Sequence, residues 1–398
     1  MTPATIDESL TQRVLPAPSK VLLIAGFPPE GGGGGGVNLR SALSSFPQDR
    51  LFWLSLQADV TGTWQWRPEI QRAGVTRRVP GRRFKCVQVA WEQILHRFEA
   101  AQAVKIARTI KSEWRPDCVW AVLDHQALWA AYEVIQALGL PWHVCVQDDP
   151  AVSRLLIGSR LPAEWQKRFD YLYTGAQSRD CISKGMARYY EARYGAGAFV
   201  ISRSINPVSQ LEARKRTLFR GEAIEILMGG WGDCPAPWPG NLVEALRILQ
   251  SRLARPVRLH AFDNALRPFE GDQVKVHSRL PDKEFEAMLN VMDLGYAPDP
   301  ITGAAARIFT ETSLPTKLVT YLAATLPCLY HGPANSTVGE MFGRYPAGEI
   351  VESQSPQDLA DAFERLIRSA DHYRDNALQL AACDFDPETL FERNLARF

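Results

Sequence analysis

The sequence predicts an α/β protein with two doubly wound domains. The chain has 398 residues, more than one core of ordinary size holds, so two domains are expected. Short apolar runs alternate with longer amphipathic stretches, which is typical of strand–helix repeats around a parallel sheet. The alternation occurs in two series, and between them, near 205–220, it gives way to a polar, charged connector. We therefore place the domain boundary in that connector.

The first series consists of nearly continuous apolar runs, as expected of parallel strands that are covered on both faces. The predicted strands are 21–27, 51–56, 118–123, 142–147, 171–175 and 199–204. Helices are predicted at 91–112 and 126–138, and the second ends at Gly139. Ser178 is predicted to cap a further helix that runs to Gly195.

The second series repeats the same alternation after the connector. Its predicted strands are 224–230, 257–262, 274–280, 294–298 and 328–332. Its predicted helices are 241–253, 283–291, 316–325 and 357–369. In open sheets of this kind a ligand binds at the carboxyl ends of the strands, so the loops that follow the strands are the candidate site.

Composition and short motifs exclude several classes of protein. Lys and Arg total 45 against 44 Asp and Glu, which gives no reason to expect a nucleic acid partner. Seven Cys without a C-x-x-C pair argue against a disulfide framework or a zinc site and suit a reducing cytosol. No apolar run approaches about 18 residues, so no membrane-spanning helix is expected. Motifs of P-loop NTPases, zinc hydrolases and serine hydrolases are missing.

Six consecutive glycines, 31–36, lie between the first predicted strand and a helix expected to begin near Val37. Glycines at this position let backbone N–H groups approach an anion, with the positive end of the helix dipole behind them. This favours phosphate or sugar binding by Gly33, Gly34, Gly35 and Gly36. A flexible loop without a ligand is the alternative.

Titratable residues follow two predicted strands of the first series. His125 follows one of them, where it either meets a ligand or caps the next helix. Asp148 and Asp149 follow another and precede a proline. Because successive side chains point apart, one carboxylate is expected in the crevice and the other at a helix cap. The sequence does not decide between the two.

Two loops of the second series are predicted to bind phosphate. Gly229 and Gly230 follow its first strand and bring backbone close to a ligand. Ser313 is predicted to cap the helix at 316–325, with Lys317 in its first turn. A hydroxyl group, free N–H groups and an ammonium group would then converge on one anion. The alternative is an exposed Lys317 without a ligand.

The run SLPTKLVTYLAATLPCLYHGP resembles the S-x-P-x-K-x-x-E-Y-L-A-x-G-x-P run of GT-B glycosyltransferases, in the large, mostly retaining group 1 or family 4 type. GFPPEGGGGGG is similar to the group's glycine-rich loop, and VLDHQALW and VCVQDDP are similar to its first-domain strand ends. The resemblance covers about 20–390. It implies two Rossmann-like domains facing a central cleft, an acceptor domain over 1–205 and a nucleotide-sugar domain over 206–385. A terminal helix over 386–398 would cross back to the first domain.

The resemblance also implies roles for individual residues. Ser313 and Lys317 would bind the donor phosphates near Gly229 and Gly230, and the glycine run would approach the transferred sugar. His125, Asp148 and Asp149 would lie near the reaction centre. Where the family has a Glu that reaches the ribose this chain has Thr320, and Glu311 is one position from a second family Glu, so these two residues mark the expected nucleoside region.

We expect a cytoplasmic hexosyltransferase that uses a UDP- or GDP-sugar and needs neither cofactor nor metal. Its acceptor would be a glycan, a lipid-linked or a small molecule in polysaccharide or glycoconjugate synthesis. The resemblance also implies retention of the anomeric configuration. The alternative is a nucleotide-sugar-binding protein without catalytic activity, which the missing Glu and the absence of the family's Arg and Lys after the first strand of the second domain favour. A family His is also replaced by Gln147. The basic stretch 76–85 is either a peripheral contact with the inner face of the membrane or a solvated loop.

Overall fold

The computed structural model describes residues 20–27, 34–44, 46–56, 70–75, 85–124, 127–156, 160–230, 238–299 and 304–390. Within these residues the strands of the first half are β1 Val21–Ala25, β2 Leu51–Ser55, β3 Gln71–Gly74, β4 Cys118–Val122, β5 Trp142–Val146, β6 Ser178–Cys181 and β7 Phe199–Val200. Those of the second half are β8 Ile224–Met228, β9 Val257–Ala261, β10 Val274–Val276, β11 Leu294–Pro298, β12 Cys328–His331 and β13 Gly348–Val351.

The strands form two separate parallel sheets. The first has the order β3-β2-β1-β4-β5-β6-β7 and the second the order β10-β9-β8-β11-β12-β13. In the first sheet Val21 lies opposite both Leu51 and Cys118, so β1 has a neighbour on each side. All residues of β1 and β4 are buried, which explains their continuous apolar sequences.

Helices connect the strands and cover the sheets. Those of the first half are α1 Gly34–Leu43, α2 Lys85–Glu113, α3 Ala127–Leu138, α4 Pro150–Leu156, α5 Ala163–Gly175, α6 Lys184–Tyr194 and α7 Pro207–Lys215. Those of the second half are α8 Trp238–Leu253, α9 Asp282–Leu289, α10 Ala304–Thr312, α11 Thr316–Ala323, α12 Thr337–Arg344, α13 Pro356–Arg368 and α14 Ala370–Asp384. The predicted α/β class and the two doubly wound sheets are therefore confirmed.

The strand predicted at 171–175 is wrong, because these residues are the last turns of α5. Trp165, Phe169, Leu172 and Tyr173 are the buried residues of α5, at helical spacing. The strand of this region is β6, which begins at Ser178, three residues after the end of α5. Its sequence is mostly polar, so it lacks the apolar run that predicts a buried strand.

The polar residues of β6 are buried because His143 on the neighbouring strand β5 binds them. Its Nδ1 lies 2.8 Å from Ser178 Oγ and its Nε2 lies 2.7 Å from Asp180 Oδ2. Ser178 is therefore a strand residue and the prediction that it caps a helix is wrong. The cap of α6 is Ser183, whose Oγ accepts a hydrogen bond from the Met186 N–H at 2.9 Å.

The glycine run also differs from its prediction. Helix α1 begins at Gly34 rather than near Val37, so half of the run is the first turn of a helix. Gly33 lies outside the described residues.

The polar connector between the sheets contains α7, which packs against the second half of the chain. Gln210 is buried and donates to Leu322 O at 2.9 Å and to Ala377 O at 3.3 Å. The Ile205 N–H donates to Phe385 O at 2.9 Å, next to the predicted boundary at 205. The ranges 1–205, 206–385 and 386–398 stay predictions, and 391–398 lie outside the described residues.

Among the described residues there is no helix with the length and apolar character needed to cross a membrane. Of the basic stretch 76–85, residues 76–84 lie outside the described residues.

Candidate functional site

The two sheets meet at a cleft that contains a cavity of about 330 Å³. Loops that follow parallel strands line it from both sides, as the position of ligands in doubly wound sheets predicts. The lining residues used below are Gly34, Gly35, Gln147 and Asp148 from the first half, and Gly230, Asp299, Ser313, Pro315, Thr316 and Lys317 from the second.

The adjacent carboxylates after β5 have different surroundings. Asp149 is 4% exposed, and its Oδ1 accepts from the N–H groups of Ala151 at 2.8 Å and Val152 at 2.9 Å. The Tyr190 hydroxyl group donates to its Oδ2 at 2.8 Å. Asp149 therefore caps α4 and is fixed inside the protein. Asp148 lines the cavity, so it is the member of the pair that faces the cleft.

The Asp148 side chain is exposed to the open cleft between the two halves of the chain. The protein walls of the cleft remove part of the water around the carboxylate, and this desolvation raises the pKa of Asp148 to about 6, against the opposing effect of a hydrogen bond from Ser313 and with a further rise from the charge of Asp149. The carboxyl group can thus gain or lose a proton near neutral pH, as groups in proton transfer do.

Ser313 does not cap α11, so that prediction is wrong. Pro315 occupies the N-cap position and offers no side-chain acceptor. The Ser313 hydroxyl group instead donates to Asp148 Oδ1 at 3.0 Å, across the cleft. The partner of Ser313 is thus Asp148, in the other half of the molecule. The residues that neighbour Ser313 in the sequence could not predict this partner. Thr316 and Lys317, the first residues of α11, line the cavity, and N–H groups at the start of a helix have no carbonyl partner within the helix.

Lys317 lies in that first turn and is half-buried. Its Nζ donates to Pro298 O at 2.8 Å, at the end of β11. The ammonium group is therefore held beside the cavity, where an anion could take the place of the carbonyl oxygen.

The two glycines after β8 are differently placed. The Gly229 N–H donates to the Tyr321 hydroxyl group at 2.7 Å, so it is used inside the protein. Gly230 lines the cavity, and a Cβ atom there would lie 2.4 Å from Phe262 O. Glycine is thus required at Gly230 because two backbone segments approach closely.

The glycines of α1 allow an equally close approach between the two halves. A Cβ atom on Gly34 would lie 2.9 Å from Thr316 Oγ1, and one on Gly35 would lie 2.8 Å from Phe27 Cζ and 3.0 Å from Gln147 Oε1. The start of α1 therefore packs directly on the start of α11 and closes one end of the cavity. Gly36 is buried in α1 and is not part of the cavity lining.

Gln147 lines the cavity, and the residue is 8% exposed. Its Oε1 has no hydrogen-bond partner among the described residues. A buried polar atom of this kind is costly unless a ligand or water satisfies it. It marks the place where a hydroxyl group of a ligand would bind.

Asp299 is a site residue that the sequence reading missed. It follows β11 and is 8% exposed, and its Oδ2 accepts from the Tyr330 hydroxyl group at 3.0 Å. Burial raises the pKa of Asp299 to about 6, Lys317 and the Tyr330 hydrogen bond oppose the rise, and the charge of Asp148 adds to it. Its position at the carboxyl end of a strand was the available signal.

The two residues of the expected nucleoside region are engaged with other protein side chains. Thr320 Oγ1 accepts from Arg203 Nη1 at 2.8 Å, and Glu311 Oε1 accepts from Arg307 Nε at 2.8 Å. Neither lines the cavity, and a nucleoside-binding role stays a prediction for both. His125 lies outside the described residues.

In the part of the chain that the structure describes, no three His, Cys, Asp or Glu side chains are grouped so that they could hold a metal ion. The expectation of a reaction without a metal stays a prediction.

Comparison with solved structures identifies the class of fold. HepE from Anabaena in complex with UDP-glucose superposes with a TM-score of 0.64 at 15% identity, covering 94% of this chain and 98% of that one. Sucrose-phosphate synthase from Thermosynechococcus elongatus gives 0.66 at 12% identity, covering 94% and 96%. A putative UDP-N-acetylglucosamine 2-epimerase from Listeria monocytogenes gives 0.58 at 12% identity, covering 94% of each chain.

No protein-family model matches the sequence, and no curated protein matches it. The structural likeness is therefore the finding that defines the class. The chain has the GT-B fold, in which two Rossmann-like domains face a cleft. The fold that the sequence resemblance implied is confirmed.

Proposed function

We propose that this protein is a glycosyltransferase that moves a sugar from a nucleotide-diphosphate donor to an acceptor hydroxyl group. The observation that carries the proposal is the composition of the cavity. One wall is the start of α11 with Lys317, the other wall is Asp148 with Gln147, and the two walls come from different halves of the chain. An anion-binding wall opposite a titratable carboxyl group suits a phosphate leaving group opposite an attacking hydroxyl group.

The donor diphosphate would bind at the start of α11. Departure of the sugar places negative charge on the β-phosphate, and the N–H groups of the first turn together with Lys317 would stabilise that charge. Lys317 would exchange its hydrogen bond with Pro298 O for one with a phosphate oxygen. The ammonium group of Lys317 and the partial positive charge of these N–H groups would take the place of the metal that other enzymes use, so we propose a reaction without one.

The sugar would lie between Gln147 and Asp148. Gln147 Oε1 accepts a hydrogen bond from a sugar hydroxyl group and so satisfies an atom that is otherwise costly to bury. Asp148 lies on the acceptor side, where its carboxylate can orient an acceptor hydroxyl group or take its proton. Gly34 and Gly35 would leave room for the sugar because they carry no side chain.

A UDP- or GDP-sugar is proposed as donor, and the UDP-glucose complex of HepE supports the choice of a uridine nucleotide as the first probe. The acceptor is proposed to be a glycan, a lipid-linked molecule or a small molecule. Retention of the anomeric configuration and transfer of a hexose are proposed on the sequence resemblance. A cytoplasmic location is proposed on the cysteine usage, and peripheral membrane contact on the basic stretch 76–85.

The test is a panel of UDP-, GDP-, ADP- and CMP-sugars, read by thermal shift and by release of the free nucleotide with and without EDTA. Stabilisation by one nucleotide sugar together with its slow hydrolysis or transfer supports a transferase. Failure of all of them to bind would refute the proposal. A requirement for added divalent cation would refute the metal-free part.

A nucleotide-sugar-binding protein without catalytic activity is the second candidate. The observation that favours it is the bond between Thr320 and Arg203, because that hydroxyl group is engaged at the position where the family has a ribose-binding Glu. Binding of a nucleotide sugar without release of nucleotide, with any acceptor class offered, would support this candidate over the first.

A further inference from the structure

The cavity holds two carboxyl groups that come from opposite sides of the cleft. Asp148 follows β5 in the first sheet and Asp299 follows β11 in the second, and both line the same cavity. The charge of Asp148 contributes to the raised pKa of Asp299, so the two groups interact electrostatically. Lys317 is the cationic side chain among the lining residues.

These surroundings are unfavourable for an anionic ligand when both carboxyl groups are ionised. With Lys317 charged, the two carboxylates leave this group of side chains with a net charge of −1 (two negative and one positive, all from the lining residues). A diphosphate at the start of α11 would add further negative charge beside these carboxylates. Protonation of one carboxyl group removes this repulsion and converts an acceptor into a hydrogen-bond donor.

We propose that the Asp148–Asp299 pair takes up one proton when the cleft binds a nucleoside-diphosphate ligand, and that the protonated carboxyl group donates a hydrogen bond to that ligand. The inference rests on the proposed function, because it requires the diphosphate to lie at the start of α11. The proton comes from the solvent, and no bond other than this hydrogen bond is made or broken.

The groups that face Asp148 and Asp299 are consistent with the uptake of a proton by this pair. Asp148 meets the hydroxyl group of Ser313 and the charge of Asp149, while Asp299 meets the ammonium group of Lys317 and the hydroxyl group of Tyr330. Burial already raises the pKa of Asp148 and of Asp299 to about 6 without a ligand.

A nearby anion raises both pKa values further, so the complex binds more protons than the free protein between about pH 6 and the higher pKa of the complex. Affinity must then fall as pH rises through that window, by at most about tenfold per pH unit for one proton. Since the two groups interact, the proton belongs to the pair rather than to either residue.

The experiment is isothermal titration calorimetry of the full chain with UDP-glucose, or with whichever nucleotide sugar the panel identifies. A nucleotide sugar is the right probe because a pyrophosphate diester lacks the terminal phosphate that titrates at about pH 6. Titrations between pH 6 and 8.5, in phosphate-free buffers of low and high ionisation enthalpy, give the number of protons taken up. We expect close to one near pH 7 and a dissociation constant that rises with pH.

Asp299→Asn and Asp148→Asn are the test variants, because the amide group keeps the size of the side chain and can still accept the hydrogen bonds of Tyr330 and Ser313. We expect proton uptake to be lost in at least Asp299→Asn, with binding at pH 8 tighter than in wild type. Asp272→Asn is the control, because Asp272 is exposed and lies outside the cavity lining. It should keep the wild-type uptake.

Absence of proton uptake in the wild-type protein overturns the inference, and this result needs no variant to fold. Uptake that persists in both cleft variants overturns it as well, as does binding that requires Mg²⁺ in place of the proton. In each of these outcomes the ligand still binds, so the proposed sugar transfer stands, although a requirement for Mg²⁺ would refute the metal-free part of that proposal. Failure of every nucleotide sugar to bind refutes the proposed function itself.

Discussion

Two polar clusters in this molecule combine carboxylate and hydroxyl side chains, and their surroundings differ. In the first sheet His143 lies between Ser178 and Asp180, and no side chain of the three is more than 8% exposed. At the cleft, Asp148 and Ser313 join two halves of the chain beside a cavity. The first cluster has the residue types of a hydrolase triad but no access for a substrate. Access to a cavity, rather than residue type, therefore identifies the candidate site.

The buried cluster should prove structural. The substitution His143→Leu removes the bond between His143 and the buried Asp180 carboxylate, which costs about 3–5 kcal/mol of the free energy of unfolding. Urea unfolding measures this, with His372→Leu, an exposed histidine, as control. Loss of nucleotide-sugar binding in a His143→Leu protein that is still folded would contradict the purely structural role of the His143 cluster.

The cleft cluster should prove functional. Lys317→Ala removes the ammonium group beside the start of α11, and we expect a loss of transfer of about 100-fold or more, equivalent to about 2.7 kcal/mol of transition-state stabilisation. The control is Lys275→Ala, because Lys275 is an exposed lysine on β10. Turnover of Lys317→Ala within threefold of wild type would refute the phosphate-binding role.

The cavity wall at Gly230 should tolerate no side chain. In Gly230→Ala the new methyl group meets Phe262 O at 2.4 Å, so backbone must shift at a cost of about 1–3 kcal/mol. Weaker nucleotide-sugar binding should accompany the lower stability. Gly271→Ala has nothing within 4 Å of the new atom and should unfold like wild type. Equal stability of the two variants would show that the wall is not as tight as described.

The smallest effect is expected at Ser313. Ser313→Ala removes one hydrogen bond that stabilises the ionised form of Asp148, so it should change stability by about 1 kcal/mol or less. It should also raise the pKa of Asp148 further, because Ser313 lowers it. The acidic limb of the pH–rate profile should move to higher pH, whereas Ser209→Ala, an exposed serine, should leave it in place. Movement to lower pH would contradict the assignment.

The contrast between the clusters also explains what could be predicted from the sequence. Central strands such as β1 are apolar because both of their faces are buried, so their signal is local. Strand β6 is polar because His143 on another strand satisfies it, and its existence could not be read from its own residues. The edge strand β3, Gln71–Gly74, is partly exposed and was missed for a related reason.

The same limit applies at the site. The position of Asp148, Asp149 and Lys317 at strand and helix ends is a local property, and it was predicted. The choice of Asp148 over Asp149 and the actual partner of Ser313 depend on a contact between residues 165 positions apart. Asp299 directly follows β11, so its position at the end of a strand is also a local property, but the sequence analysis did not use it.

The close contact between Gly34 and Thr316 has a mechanical consequence. The two lobes can approach this closely because Gly34 has no side chain. A larger residue at position 34 would meet Thr316 and force the two lobes or the Thr316 side chain to shift. A valine at position 34 would meet Thr316 and would also occupy space in the cavity that Gly34 lines. The aperture of this molecule and the room for its ligand would therefore change together.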